Sequence, residues 1–319
     1  MDVLITGSVA YDYLMTFPGL FKEHLLAEHL EKISLSFLVD KLDRRRGGIA
    51  PNIAYTMALL GGKPRVMAAV GEDFAEYRAF LKDHGVDTTN MEVIEGLYTA
   101  SYFATTDKSN AQVASFYPGA MARASELSLK AVKGGTPELV IISPNDPGAM
   151  QQYVAECKEL DIPYVYDPSQ QIVRFDGEIL RTGVETAHAM FMNEYEFELV
   201  KDKTGMDDKA ILSHLDYMVV TLGPKGANIH TKDGITWVEA VPTDTIVDPT
   251  GGGDAFRAGF LTGYRLGLDW ETSGRLGSLA ATYCLEQAGP QTHHFSTTDF
   301  VTRYREHYDD GGKLQALLA

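Results

Sequence analysis

The stretch VDPTGGGDAFRAG, from Val247 to Gly259, places three consecutive glycines directly before an aspartate and a helix-forming segment. Glycine loses more backbone entropy on folding than any other residue, so three in a row destabilise a chain unless something must approach the main chain closely. Backbone N–H groups at the start of a helix attract anions, because they lack partners and because the helix dipole is positive there. The stretch therefore predicts an anion-binding loop at Gly251, Gly252 and Gly253.

The aspartate after this loop, Asp254, repels a phosphate and so is not there to bind one. A carboxylate beside an anion site is better interpreted as a base that accepts a proton from an attacking hydroxyl. The alternative is an ordinary N-cap aspartate after a flexible turn. The sequence contains no GxxxxGK[ST] motif, and no GxGxxG follows its first strand. A P-loop and a dinucleotide-binding fingerprint are therefore both excluded.

The rest of the chain alternates short β-branched runs with amphipathic segments of helical length, which predicts parallel strands buried between helices. The predicted strands are DVLITG, RVMAAVG, ELVIIS, PYVYDPS, HAMFMN, YMVVTLG and, before the glycine loop, TDTIVD. The predicted helices are NIAYTMALLGG and residues 73–85 and 148–160. We expect an open, mostly parallel α/β sheet flanked by helices, with ligands at the carboxyl ends of its strands.

Two segments depart from this alternation. Residues 32–38 read KISLSFL, and residues 98–117 read YTASYFATTDKSNAQVASFY, a β-rich hairpin with its turn at DKSN. They predict a small β-sheet folded as a lid over the ends of the main strands. Its strands would come from residues 10–45 and 95–120 of one domain that covers residues 1–319.

Composition limits the partners of the chain. The 319 residues include 44 acidic and 28 basic residues, a formal charge of −16 that would repel nucleic acids and anionic membranes. The two cysteines, Cys157 and Cys284, have no metal-binding spacing and are expected to be small core residues in a reducing compartment. No basic signal segment or apolar run of membrane length is present. We expect a cytoplasmic protein with a small-molecule ligand.

A second glycine turn occurs in RRRGGIAPNIAYTMALLGG, from Arg44 to Gly62. Gly47 and Gly48 expose the backbone, and the amide of Asn52 can donate to and accept from a sugar hydroxyl as the next helix begins. The arginines at 44–46 are more typical of a solvated face than of a ligand site.

These motifs together resemble a known family. GGIAPNIA and DPTGGGDAFRAGF resemble the two signature regions of the ribokinase-like (PfkB) carbohydrate kinases, and Asp12, NEYE and TLGPKG fall in that family's order. Within the family, HLEKISLSFLVD, AQVASFYPGAM and GDAFRAGFLTG closely resemble bacterial adenosine kinases of the mycobacterial type. The resemblance implies a ribokinase-like fold and ATP-dependent phosphorylation of the 5′-hydroxyl of adenosine to AMP, with Mg²⁺.

The resemblance also implies roles for residues on the phosphate side of the site. Asp254 would be the base, the N–H groups of residues 251–253 would stabilise the transferring phosphoryl group, and Arg257 would either neutralise phosphate or pair with Asp254. The expected nucleotide and metal contacts are Asn193 and Glu196 (an NxxE motif holding Mg²⁺ through water), Thr221, Gly223, Lys225 and Gly226 (ATP), and Asp248 and Thr250 (potassium, in members that need it). The alternative for NEYE is an acid-rich first turn of a helix.

On the nucleoside side, the resemblance implies a pocket shared between ribose and base. The expected contacts are Asp12, Gly48 and Asn52 for ribose hydroxyls, Tyr102 and Phe116 for stacking on the base, Gln170 and Gln171 for its edge, and Ser8 and Ser36 in the same pocket. The alternative for the two aromatics is cross-strand packing within the hairpin.

Two other functions stay open from the sequence. A kinase of a free sugar such as ribose or fructose would have no use for the hairpin aromatics. A non-catalytic nucleoside sensor would not need Asp254, the glycine loop and the NxxE acid. The apolar hairpin segments also suggest a homodimer formed through the lid.

Overall fold

The computed structural model describes residues 1–24 and 35–318, and these residues form two β-sheets. The large sheet has nine strands in the order β13-β12-β11-β10-β9-β8-β1-β4-β5. Their bounds are β1 Val3–Thr6, β4 Arg65–Val70, β5 Asp87–Val93, β8 Leu139–Ile142, β9 Tyr164–Tyr166, β10 Ala189–Asn193, β11 Tyr217–Thr221, β12 Ala227–Thr231 and β13 Gly234–Val238. From β11 to β5 all neighbours are parallel, whereas β12 and β13 form an antiparallel edge.

Helices cover both faces of this sheet. They are α1 Ile49–Leu59, α2 Ala75–Asp83, α3 Pro147–Leu160, α4 Gly177–Thr186, α5 Glu194–Thr204, α6 Asp208–His214, α7 Gly252–Arg265, α8 Trp270–Leu285 and α9 Thr297–His307. In β1, Val3 and Ile5 pack with α1, α2 and α7, while Leu4 packs with α3 to α6 on the other face. The predicted α/β architecture, with apolar strands buried on both sides, is confirmed.

The small sheet contains four strands in the order β3-β2-β6-β7. They are β2 Ala10–Thr16, β3 Lys41–Gly47, β6 Ala100–Thr106 and β7 Gln112–Tyr117. The predicted hairpin is β6 and β7, and the Asp107 carboxylate closes its turn by accepting from the N–H groups of Ser109 and Ala111. The small sheet is thus confirmed, and its action as a lid stays a prediction.

Two predicted strands are wrong. Residues 35–38 of KISLSFL are not in a strand, and residues 32–34 lie outside the described ranges. TDTIVD is a loop, because the N–H groups of Val247 and Asp248 donate to the Leu285 carbonyl at the end of α8 instead of to a neighbouring strand. Strands β5, β12 and β13 were not predicted.

Two expectations from composition can be compared with the structure. Cys157 and Cys284 are buried and free, as expected for small core residues. Among the helices of the described ranges, none is long and apolar enough to cross a bilayer.

Candidate active site

The glycine loop forms the start of α7, as the sequence predicts, although the helix begins at Gly252 and not at Asp254. Gly251 is the N-cap, with a φ of 82° in the left-handed region. A Cβ atom on Gly251 would lie 2.3 Å from the Cβ of Pro290, so no larger residue fits there without movement. Because Gly251 takes the N-cap position, the N-cap alternative for Asp254 is wrong.

Asp254 lies in the first turn of α7 and its carboxylate turns toward α1. Its Oδ2 accepts a hydrogen bond of 2.8 Å from Asn52 Nδ2, and its Oδ1 lies 3.8 Å from Arg257 Nη1. Burial raises the pKa of the Asp254 carboxyl, and Arg257 and the Asn52 hydrogen bond oppose that rise. A half-buried carboxylate with a raised pKa is a stronger proton acceptor than an exposed one, which suits a base.

Arg257 has a partner that the sequence did not predict. Its Nε lies 2.8 Å from Oδ2 of Asp167, and its Nη2 donates to Oδ1 of Asp167 at 3.0 Å. Asp167 directly follows β9 and its side chain is 1% exposed. Burial raises the pKa of Asp167, and the guanidinium of Arg257 opposes that rise. Arg257 therefore links α7 to the carboxyl end of β9, as well as approaching Asp254.

One row of side chains crosses the small sheet. Asp12 on β2 pairs with Arg45 on β3 and with Tyr102 on β6, and Tyr102 pairs with Phe116 on β7. Directly paired residues on neighbouring strands point to the same face, with Cβ atoms about 5 Å apart. The predicted ribose contact is therefore adjacent to the two predicted stacking aromatics. Phe116 is 49% exposed, and its ring is available to a ligand.

The residues that follow Asp12 and Tyr102 along their strands point to the opposite face of the small sheet, and there the aromatic rings pack against each other. There Tyr13 and Phe103 stack with ring centroids 4.8 Å apart and planes inclined by 11°. Tyr102 uses its hydroxyl to donate to Gln112 Oε1 at 3.0 Å, within its own hairpin.

Arg45 connects this row to the glycine loop. Its Nη1 donates to Asp248 Oδ2 at 2.7 Å, across 203 residues of sequence. The expectation of a solvated face therefore fails for Arg45, although Arg44 is exposed and lies over the Tyr11 ring. Burial raises the pKa of Asp12 to about 6, with Arg45 opposing and Asp248 adding to the rise.

The predicted potassium contacts are already engaged. Asp248 Oδ2 accepts from Arg45, and Asp248 Oδ1 accepts from the Thr250 N–H at 2.9 Å. A monovalent cation at this carboxylate would lie beside the Arg45 guanidinium, whose positive charge repels it. These residues therefore do not fit a potassium site as arranged.

A cleft of about 620 Å³ joins the predicted ATP turn to the glycine loop. Its lining residues include Thr221, Gly223, Gly226, Gly252 and Gly253, with apolar side chains of Val241, Ile246, Phe256 and Leu285. Lys225 is exposed beside it, and its carbonyl accepts from the Trp237 indole at 3.0 Å. The cleft therefore offers an apolar surface for a base next to backbone donors for phosphates.

The NxxE residues form a capping box at the start of α5. Asn193 accepts from the Glu196 N–H, Glu196 Oε2 accepts from the Asn193 N–H, and Glu196 Oε1 accepts from Ser169 Oγ at 3.0 Å. This agrees with the alternative of an acidic first turn and leaves the carboxylate partly exposed. Within residues 1–24 and 35–318, no group of three or more His, Cys, Asp or Glu could hold a metal. Magnesium held by phosphates and water beside Glu196 fits this arrangement.

The other predicted pocket residues lie in different surroundings. Ser8 Oγ accepts from the Ile49 N–H at 3.2 Å, and a Cβ on Gly48 would lie 2.5 Å from the Ser8 carbonyl oxygen. Gln171 is buried, its Nε2 donates to the Asn145 carbonyl at 2.9 Å, and its Oε1 has no partner among the described residues. Gln170 and Ser36 are exposed.

Gln291 was missed entirely by the sequence analysis. It is 3% exposed and donates to Asn52 Oδ1 at 2.7 Å and to the Tyr77 hydroxyl. It lies 239 residues from Asn52 in sequence, and no local pattern marks it.

Comparison with known proteins assigns this chain to a family. The profile of the pfkB family carbohydrate kinases matches residues 7–297. A nucleoside kinase of Methanothermobacter thermautotrophicus is 29% identical over 308 residues, 95% of each chain. The structure of Burkholderia thailandensis nucleoside kinase in complex with inosine is 36% identical, covers 96% of this chain and 99% of its own, and has a TM-score of 0.86.

The adenosine kinase of Sinorhizobium meliloti, at 22% identity and a TM-score of 0.74, covers 96% of this chain and 99% of its own and shows the shared fold alone. The chain belongs to the pfkB family of carbohydrate kinases and has the ribokinase-like fold.

Proposed function

We propose that this protein is an ATP-dependent kinase that phosphorylates the 5′-hydroxyl of a nucleoside, with adenosine as the leading substrate and AMP as the product. The observation that carries the proposal is the row on the small sheet, in which Asp12 lies next to Tyr102 and Tyr102 lies next to Phe116. A nucleoside joins a polar sugar to a flat base, and the row presents a hydrogen-bond acceptor beside two aromatic rings.

The transfer step needs a base and a site for the charge of the phosphoryl group. Asp254 accepts the proton of the 5′-hydroxyl, with its Oδ2 held by Asn52. The N–H groups of Gly251 and Gly253 would donate to the transferring group, and the positive end of α7 would add to their effect. The Gly252 N–H, predicted as a third donor, donates to the Pro249 carbonyl at 3.3 Å and would have to leave it to take part. Magnesium beside Glu196 would neutralise charge on the phosphates of ATP.

The proposed selection of the sugar depends on a partly buried charge. A carboxylate at Asp12 that accepts from two adjacent ribose hydroxyls has its desolvation offset by those bonds. A substrate without the hydroxyls leaves the partly buried carboxylate without those donors, and such a loss discriminates between substrates.

The nucleobase would be recognised by stacking on two aromatic rings and by one hydrogen-bond acceptor. Tyr102 and Phe116 offer ring faces, and each stacked base–aromatic contact contributes about 1–3 kcal/mol. The Oε1 of Gln171 is buried and has no partner among the described residues. A turn of this side chain toward the pocket would let it accept from the 6-amino group of adenine or from N1–H of a 6-oxopurine. We propose adenosine as the leading substrate because this chain shares sequence phrases with adenosine kinases. Inosine, which the Burkholderia enzyme binds, is the nearest competitor.

In this proposal the small sheet closes over the nucleoside as a lid. Its edge strand β3 already touches the glycine loop through Arg45 and Asp248. The free thiols of Cys157 and Cys284 and the need for ATP are consistent with a cytoplasmic enzyme.

The test is ADP release with ATP and Mg²⁺ against adenosine, inosine, guanosine, cytidine, ribose and fructose. We expect the nucleosides to be phosphorylated with higher kcat/KM than either sugar, and adenosine to be the best of them. A preference for ribose or fructose would overturn the nucleoside assignment in favour of the sugar kinase. Binding of adenosine without any turnover would support the sensor.

A further inference from the structure

The hydrogen bonds around Asp254 have a fixed direction. An ionised carboxylate can only accept, so the atom of Asn52 that faces Asp254 Oδ2 must be the amide nitrogen. The carbonyl oxygen of Asn52 then points the other way, at Gln291, which has to present a donor to it. The orientation of one amide therefore fixes the orientation of the next.

The same chain continues to the backbone of the second glycine turn. The Nε2 of Gln291 has two hydrogens, one for Asn52 Oδ1 and one for the Tyr77 hydroxyl. Tyr77 in turn donates its own proton to the Gly47 carbonyl at 2.9 Å. Each of the four hydrogen bonds from the Gly47 carbonyl to Asp254 therefore joins a donor to an acceptor, and the charge of Asp254 sets their direction.

The segment that carries Gln291 is anchored on both sides. Pro290 packs against the N-cap glycine, Gly251. His293 is fully buried, its ring Nε2 lies 3.0 Å from Thr56 Oγ1, and its carbonyl accepts from the Tyr55 hydroxyl at 2.7 Å. Gln291 is therefore held between the glycine loop and α1 before any substrate binds.

From these contacts we infer that Gln291 is a positioning residue, which holds the Asn52 amide with its nitrogen toward Asp254. The inference rests on the proposed function, in which Asp254 is the base. Without Gln291, Asn52 can rotate by half a turn and place its carbonyl oxygen against the carboxylate. Asp254 would then lose a donor that fixes its orientation, and two acceptors would face each other.

A double-mutant cycle tests the inference, because a residue that acts through Asn52 has no effect once Asn52 is gone. Gln291→Met keeps the volume and removes the donor. We expect it to lower kcat about tenfold in the wild type, the loss of one hydrogen bond to a charged group, and to leave the KM for ATP unchanged. In the Asn52→Ala background the same change should alter kcat by less than about twofold.

Thr292→Val is the matched control. Its hydroxyl bonds only to the Ala288 and Gly289 carbonyls of the same segment among the described residues, so its loss perturbs the segment and leaves the chain of amides intact. We expect wild-type kcat for this variant. An equal loss of kcat from Gln291→Met in both backgrounds, or the same loss in Thr292→Val, would show a merely structural role and overturn the inference.

A second measurement needs no turnover. The carboxyl carbon of Asp254 can be titrated by ¹³C NMR in the ligand-free protein and assigned by its absence in Asp254→Asn. The charged and titratable groups that act on Asp254 are Arg257 on α7, Glu196 on α5, Cys284 on α8 and Asp167 after β9.

Gln291→Met leaves all four groups in place and removes the amide that orients Asn52, so the midpoint of this titration should move up. An unchanged midpoint would overturn the inference. If the wild type phosphorylates no nucleoside, the proposed function fails by itself, and the titration still decides the role of Gln291.

Discussion

Replacement of Asp12 by Asn should stabilise the protein at neutral and alkaline pH. Burial raises the pKa of this carboxyl to about 6 from an ordinary value of 3.8. A raised pKa means that the folded state binds the proton more tightly than the unfolded state does. The contribution of Asp12 to the free energy of unfolding is therefore fully present below pH 3.8 and is lost as the pH rises through 6. A shift of about two units corresponds to at most about 3 kcal/mol, and partial solvent contact reduces this to about 1–2 kcal/mol.

Asn stays neutral at every pH and has nearly the shape of a protonated Asp. The free energy of unfolding of Asp12→Asn should therefore exceed that of the wild type by this amount near pH 8. The difference should shrink as the pH falls through 6 and vanish only well below pH 3.8. Arg45 keeps Asp43 and Asp248 as partners, so the substitution leaves no unpaired charge. The measurement is urea denaturation of both proteins across this range.

The same substitution should weaken substrate binding. In the wild type the KM for nucleoside should rise as the pH falls below 6, because the protonated carboxyl no longer accepts two hydroxyls. In Asp12→Asn the KM should be high and nearly independent of pH. A variant that is less stable than the wild type near pH 8, or a wild-type KM that is flat across the titration, would refute this reasoning.

Asp254→Asn should lower kcat by orders of magnitude and leave nucleoside binding nearly intact by calorimetry; unchanged turnover would remove Asp254 from its role as base. Phe116→Ala should weaken nucleoside binding by about 1–3 kcal/mol with little effect on the KM for ATP. Phe103→Ala, on the opposite face of the sheet, is the control and should leave nucleoside binding unchanged. Equal losses of nucleoside binding in the two variants would contradict stacking on Phe116. Gly251→Ala should lower both the melting temperature and kcat, because a Cβ there meets Pro290 at 2.3 Å. Gly85→Ala, with a similar φ of 84° and no neighbouring atom, measures the cost of the backbone conformation alone.

The features that the sequence predicted well are those with a local physical cause. Buried parallel strands need continuous apolar runs, so β1, β8, β10 and β11 could be found from their composition. Consecutive glycines before a helix need a backbone ligand, so the loop at Gly251 could be placed within the fold. The hairpin with Tyr102 and Phe116 followed from its turn residues and its β-rich arms.

The features that it missed depend on partners far away in the chain. Asn52 meets Gln291 across 239 residues and Arg45 meets Asp248 across 203, and nothing near either residue signals the contact. TDTIVD has the composition of a strand, but the last strand of the sheet, β13, ends before it at Val238. The N–H groups of Val247 and Asp248 in TDTIVD donate to the end of α8 instead. The composition of a segment shows which secondary structure it can form, but its hydrogen bonds to distant residues determine which one it forms in the fold.

The row on the small sheet has a consequence for how substrate range can change in evolution. The distance between hydrogen-bonded strands is fixed at about 4.8 Å by backbone geometry, so the separation of the proposed sugar and base subsites would be set by strand order and not by side chains. Asp12 lies on an inner strand, while Phe116 lies on the edge strand β7 beside an exposed turn. If the proposed subsites are right, mutations at the edge strand can change the preference for the nucleobase without disturbing the contact to the sugar.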